Sequence, residues 1–194
     1  MSKNGVANVL AVGVGGQGII RLSNILAGVV FDLGYDVKKS EIHGLAQRGG
    51  SVTSNIRWGK EVHSPVIPDG EVDFIVALEE LEAFRSAHVL KPGGTIIVND
   101  FRLLPVTVVT GAAEYPENID SKLREYGKVE RVPASKMAKD LGNIRASNVV
   151  LLGVLSKHLD LPEDGWISSL KKSFPPKFLD LNLKAFEAGR KFVQ

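Results

Sequence analysis

Residues 7–18 read Ala-Asn-Val-Leu-Ala-Val-Gly-Val-Gly-Gly-Gln-Gly, and the fold class follows from how this run changes character at Gly13. Ala7–Val12 is a short apolar run of the kind that forms a buried strand, and it stops at a cluster of glycines. From Ile19 to Phe31 the apolar residues Ile20, Ile25, Leu26, Val29 and Val30 recur at helical spacing. Gly34 ends that helix, and Tyr35–Ile42 reads as a second strand. Together they make a β-loop-α-β unit of the usual size. Gly13-Val-Gly15-Gly16-Gln17-Gly18 fits G-x-G-x-x-G. Glycines there allow a tight turn and close backbone approach, while free N–H groups at the helix start attract an anion, usually phosphate. A strand–helix turn that merely packs would leave the same letters.

The next loop is richer in chemistry. Glu41-Ile-His43-Gly44-Leu-Ala-Gln47-Arg48-Gly49-Gly50 begins where the second strand ends, on the same carboxyl edge of the sheet as the glycine loop. It puts a carboxylate, an imidazole, an amide and a guanidinium on a glycine-loosened backbone, a common way to build a site on a rigid scaffold. Arg48 either pairs internally with Glu41 or faces a phosphate or carboxylate. Glu41, 23 residues after Gly18, also stands where a dinucleotide fold holds its ribose, so a free-standing NAD(P)-dependent dehydrogenase is the alternative reading. His43 is a candidate general base, although a loop histidine that only hydrogen-bonds is commoner. His43, His63, His88 and His158 show no paired spacing for a metal.

Further along, Ser51–Trp58 alternates like a strand with two different faces, and Asp73–Leu78 and Thr95–Asn99 read as buried strands around a helix over Glu79–His88. Val106–Thr110 and Lys128–Val132 are further strand candidates, with a helix near Glu117–Tyr126 between them. From Ala134 onward the pattern is helical: Ser135–Leu141, Ser147–Leu159, Pro162–Ser173 and Lys177–Val193. The expectation is one three-layer α/β/α domain over 1–194. Its mostly parallel, Rossmann-like sheet falls within about 5–133, and a helical C-terminal segment occupies about 134–194.

Composition narrows the function. The chain has 194 residues, 44% hydrophobic and 24% charged, the values of an ordinary globular domain. It has no cysteine, which removes disulfides, thiolate nucleophiles and thiolate-held zinc or iron–sulfur clusters. The net charge is +2, with basic and acidic groups interspersed, so no nucleic-acid surface is expected. No apolar stretch approaches the ~18 residues of a membrane span, and a cytoplasmic location is expected.

The two loops together resemble the gamma-type domain of the 2-oxoacid:ferredoxin oxidoreductases. The resemblance is carried by the GxGGQG loop and by the Glu-x-His-Gly-x-Ala-Gln-Arg-Gly-Gly-Ser-Val run that follows it. Arg57, Ser64-Pro65, Asp73, Ala77-Leu-Glu79, Glu82, Pro92-Gly-Gly, Asn99, Asn148 and Gly153 agree along nearly the whole chain. Leu45, where methionine is common, departs mildly. Length and the helical tail look most like the small (beta) subunit of the indolepyruvate branch. The resemblance implies a heteromer in which a large (alpha) subunit carries thiamine diphosphate, magnesium and iron–sulfur clusters. That complex oxidises an aryl 2-oxo acid with coenzyme A to an aryl-acetyl-CoA and carbon dioxide, and it reduces ferredoxin, a chemistry of anaerobic metabolism. This chain has neither cysteine nor a Gly-Asp-Gly element, and is expected to bind no cofactor alone and to be inactive alone. The candidate binding residues are Gly13, Gly15, Gly16, Gln17, Gly18, Glu41, Gly44, Gln47, Arg48 and Gly49, with His43 and Arg48 candidates at the partner interface.

Overall fold

β1 (Ala7–Val14) has all eight of its residues buried, as its mostly apolar run demands of a strand covered on both faces. Ala7, Val9 and Ala11 join one apolar cluster, and Leu10 and Val12 join another. A layer therefore lies on each side of β1. The computed structural model describes residues 5–44 and 49–192.

β2 (Asp36–His43), β3 (Ser51–Gly59), β4 (Val72–Ala77), β5 (Leu90–Asn99) and β6 (Lys128–Val132) complete a sheet of order 2-3-1-4-5-6. β1, β4, β5 and β6 run parallel, and β3 is antiparallel to both β1 and β2. The α/β class and the mostly parallel sheet match the sequence reading, but the second strand is not the neighbour of the first. β3 takes that place because its two faces both find partners. Val52, Ile56 and Trp58 enter the core. Arg57, on the other face, donates to Asn8 Oδ1 at 2.9 Å and to the carbonyls of Ser64 and Val66 at 3.1 and 2.7 Å. β2, without a fully buried residue and carrying Asp36, Lys38, Lys39 and Glu41, is left at the sheet's edge, where charge discourages further pairing. Two antiparallel steps restore the direction of β1, so His43 and Val14 end on the same edge. Their partners in β3 are the adjacent residues Val52 and Ser51.

The helices are α1 (Ile19–Asp32), α2 (Glu80–Ser86), α3 (Val106–Val109), α4 (Ile119–Arg124), α5 (Ala134–Asp140), α6 (Ser147–Ser156), α7 (Glu163–Ser173) and α8 (Pro176–Phe192). α1 and α5–α8 cover the sheet face that carries Val9 and Ala11, while α2 and α4 cover the other. α1 buries Ile19, Leu22, Ile25, Leu26, Val29 and Val30. Ile20, read as part of that stripe, is turned outward.

Every residue of α6 is buried, the mark of a helix surrounded by protein. It crosses α8 backbone on backbone: a Cβ added to Gly189 would stand 2.0 Å from the Val150 carbonyl oxygen. Phe186 packs on Trp166 with ring centroids 5.8 Å apart. Of the four C-terminal phenylalanines, Phe174 and Phe186 are buried, and Phe178 and Phe192 are exposed.

One element differs in type. Val106–Thr110, expected to be a strand from its β-branched residues, forms the single helical turn α3, with no buried residue. β5 pairs directly with β6, which closes the place between them, and Pro105 at the N-cap of the segment starts a helical turn.

Candidate functional site

The glycine loop leaves β1 and enters α1 through two left-handed residues, Gly16 (φ 102°) and Gly18 (φ 89°). Gly15 plays a different part. Its N–H donates to the Gly50 carbonyl at 2.8 Å and its carbonyl accepts the Gly49 N–H at 3.5 Å, which ties the two loops together. Gln17 is a brace. Its Oε1 accepts the Val14 N–H at 2.7 Å, and its Nε2 donates to the Leu78 carbonyl at 3.5 Å. Gly13 leaves room for it, since a Cβ there would lie 2.7 Å from Gln17 Oε1.

α1 has no acidic residue in its first turn and no side-chain cap, and its first hydrogen-bonded amide is that of Leu22. The N–H groups of Ile19, Ile20 and Arg21 therefore point out of the helix end unpaired among the described residues.

These amides border a cavity of about 830 Å³. One wall is Gly15–Arg21, a second is His43 and Gly44, a third is Asn143, Arg145 and Asn148, and the last is Phe174, Phe178 and Asn182. Asn148, buried in the first turn of α6, donates to the Gly18 carbonyl at 3.0 Å. It thus sets the helix entrance from 130 residues away. Arg21 holds its guanidinium 5.1 Å over the Phe174 ring. Neither Arg21 nor Arg145 has a carboxylate partner among the described residues, so two cations face the cavity with their charge unanswered. The arrangement suits a ligand with an anionic group at the helix end and an apolar or aromatic portion along the phenylalanine wall.

The expected residues divide accordingly. Gly15, Gly16, Gln17, Gly18, His43 and Gly44 line the cavity, Gly13 supports the loop, and Gly49 joins it through the backbone. Gln47 and Arg48 lie outside the described residues. Glu41 is drawn away. Its carboxylate accepts Lys39 Nζ at 2.5 Å, on a strand separated from β1 by β3. A ribose-holding acid belongs on the strand beside β1. Arg21, Arg145 and the phenylalanine wall were not read as site residues, because no local pattern links them to the glycine loop.

Beside the cavity, one turn carries three buried carboxylates, Glu79, Glu80 and Glu82. Glu82 accepts Ser51 Oγ at 2.5 Å and Arg85 Nη1 at 2.6 Å. Burial pushes the Glu79 carboxyl above the usual range, against the pull of the Leu103 and Glu82 N–H groups. Glu80 feels burial as well, but hydrogen bonds from Arg102 and Arg131 prevail and hold it low. Burial and these neighbouring carboxylates push the Tyr115 hydroxyl up. Among the described residues no three histidines or carboxylates are grouped to hold a metal ion.

Comparison with known proteins decides the family. The pyruvate ferredoxin/flavodoxin oxidoreductase model matches residues 8–192. The chain belongs to that family. Within it, the chain is 38% identical to the indolepyruvate oxidoreductase subunit IorB of Thermococcus kodakarensis over 95% of its own length and 94% of the relative's. The keto/oxoacid ferredoxin oxidoreductase gamma subunit of Geobacter sulfurreducens has the same fold, with a TM-score of 0.69 at 24% identity over 95% and 96% of the two chains. The 2-oxoglutarate:ferredoxin oxidoreductase of Magnetococcus marinus, solved with 2-oxoglutarate, coenzyme A and succinyl-CoA bound, gives a TM-score of 0.75 at 22% identity. That match takes in 96% of this chain but 30% of the Magnetococcus one. The gamma-type resemblance read from the two loops holds, and the stand-alone dehydrogenase is not favoured.

Proposed function

We propose that this chain is the small subunit of an indolepyruvate:ferredoxin oxidoreductase. The observation that carries the reading is the 38% identity to IorB along almost the full length of both chains. In the proposed reaction the bond between the oxo-acid carbonyl carbon and its carboxylate breaks, carbon dioxide leaves, and the acyl group passes to the thiol of coenzyme A. The electron pair released goes to ferredoxin, one electron at a time. Thiamine diphosphate with magnesium and the iron–sulfur clusters, on a large subunit, supply the decarboxylation and electron transfer.

This chain's part is to hold coenzyme A. The free amides at the start of α1, with Arg21 and Arg145, suit its diphosphate. Gly13, Gly15, Gly16, Gln17, Gly18, Gly44 and Gly49 shape that pocket, with Gln47 and Arg48 on the adjoining loop. His43 faces the partner, and Arg48 is assigned a role in the same reaction. The chain acts as one gamma-type domain over 1–194 and works in the cytoplasm. Among the described residues no helix is long and apolar enough to cross a membrane.

Co-expression with the large subunit tests the proposal. A brown, iron-containing complex should co-purify, while the chain alone stays colourless and inactive. Tight NAD(P) binding by the isolated chain, or viologen reduction without a partner, would overturn it.

A further inference from the structure

α3 is a helical turn that buries nothing. Val106 and Val109 are 77% and 69% exposed and, three residues apart, share a face. Leu103 and Leu104, just before them, are also exposed. Single exposed apolar residues are ordinary, but four within one short segment form a patch that marks an interaction site.

The segment is nevertheless fixed from beneath. The Leu103 N–H donates to Glu79 Oε1 at 3.1 Å, and Arg102 Nε donates to Glu80 Oε1 at 2.5 Å. The Glu80 N–H donates to the Phe101 carbonyl at 3.1 Å. Tyr115 donates its hydroxyl to Glu80 at 3.1 Å, and its ring lies 4.5 Å beneath the Arg102 guanidinium. Buried carboxylates are costly anchors compared with apolar packing, yet here they leave Leu103, Leu104, Val106 and Val109 facing outward. An apolar face already held rigid loses little freedom on docking.

The patch lies on the edge that bears the cavity. It follows β5, and the turn that clamps it begins at Leu78, whose carbonyl accepts Gln17 Nε2 of the glycine loop. Glu82 of the same turn holds Ser51, next to Gly50. In the Magnetococcus enzyme the match takes in 30% of a longer chain, so the architecture occurs joined to a larger remainder. We infer that the Leu103–Val109 segment, clamped by Glu79 and Glu80, is the surface on which the large subunit docks; the inference rests on the proposed function.

The test is the affinity of the full chain for the purified large subunit, measured by biolayer interferometry. Val106→Asp with Val109→Asp should weaken binding at least thirtyfold and leave the melting temperature of the free chain unchanged. Glu80→Gln, which loosens the clamp and leaves the apolar residues in place, should also weaken binding. Phe31→Asp, at an exposed apolar position at the other end of α1, should not. Unchanged affinity of the Val106/Val109 variant would overturn the surface alone. So would sedimentation showing that two copies of this chain pair through the patch while the large subunit binds either variant equally. Failure of the wild-type chain to bind the large subunit would overturn the proposed function and this surface together.

Discussion

Arg145 offers the sharpest separation of binding from folding. It is exposed at the cavity wall, forms no ion pair or side-chain hydrogen bond among the described residues, and follows Asn143, whose side chain caps its backbone N–H at 3.0 Å. Removing its guanidinium therefore breaks no contact that holds the fold, and Arg145→Ala should melt within a degree or two of wild type. If the guanidinium meets a coenzyme A phosphate, the loss is one charge-assisted hydrogen bond, worth about 1.5–3 kcal/mol. That corresponds to roughly one to two decades in an affinity. The cavity is open to water, so the lower end applies, about tenfold. Steady-state viologen reduction by the assembled enzyme, with coenzyme A varied, should show KM for coenzyme A raised about tenfold and kcat nearly kept. The effect should shrink as salt rises, because an exposed charge contact is screened. Arg145→Lys should recover part of it. An unchanged KM at low salt would refute the assignment of the helix end and Arg145 to an anionic ligand. A fall in melting temperature would show that the residue serves the fold.

Gly18→Ala should destabilise the chain by about 1–2 kcal/mol from left-handed backbone strain alone, and by more because its Cβ would stand 2.4 Å from Asn148 Nδ2; urea unfolding reads both effects. Phe186→Ala should cost about 3–5 kcal/mol, and truncation after Ser173 should give an insoluble product, since α8 fills the core against Trp166 and Val150. Glu80 is held low in the fold, so its contribution is present above the unfolded value of about 4.3 and is lost as pH falls through the folded one. Glu80→Gln should therefore lower the melting temperature at pH 7 and flatten the wild type's fall below about pH 4. Arg48→Ala should leave folding and assembly intact while lowering turnover or raising the coenzyme A requirement; unaltered kinetics with a lowered melting temperature would make that arginine structural.

What the sequence made legible was local. The β1–loop–α1 run is specified by an apolar strand, glycines free to adopt positive φ, and a helical apolar period within some twenty residues. The placing of both loops on one edge also emerged, because β2 runs in the same direction as β1. That β3 lies between them did not emerge, since strand order is settled by pairing between distant segments. Val106–Thr110, expected to be a strand, is a helical turn, because β-branched residues only lean towards a strand and Pro105 at the N-cap opens a turn. Gln17 looked like a ligand contact but spends its amide bracing its own turn. Arg145, Asn148 and Phe174 reach the glycine loop only through the packing of α6–α8, and no spacing along the chain encodes that meeting.

The most direct test of the central claim is a titration of this chain into purified large subunit, with viologen reduction followed in the presence of indolepyruvate and coenzyme A. The account predicts no turnover by either chain alone. On mixing, activity should rise to a plateau at a fixed ratio and vanish when coenzyme A or the oxo acid is left out. Full activity of the large subunit without this chain, or a mixture that stays inactive while both chains are folded and the large subunit retains its clusters and thiamine diphosphate, would contradict it.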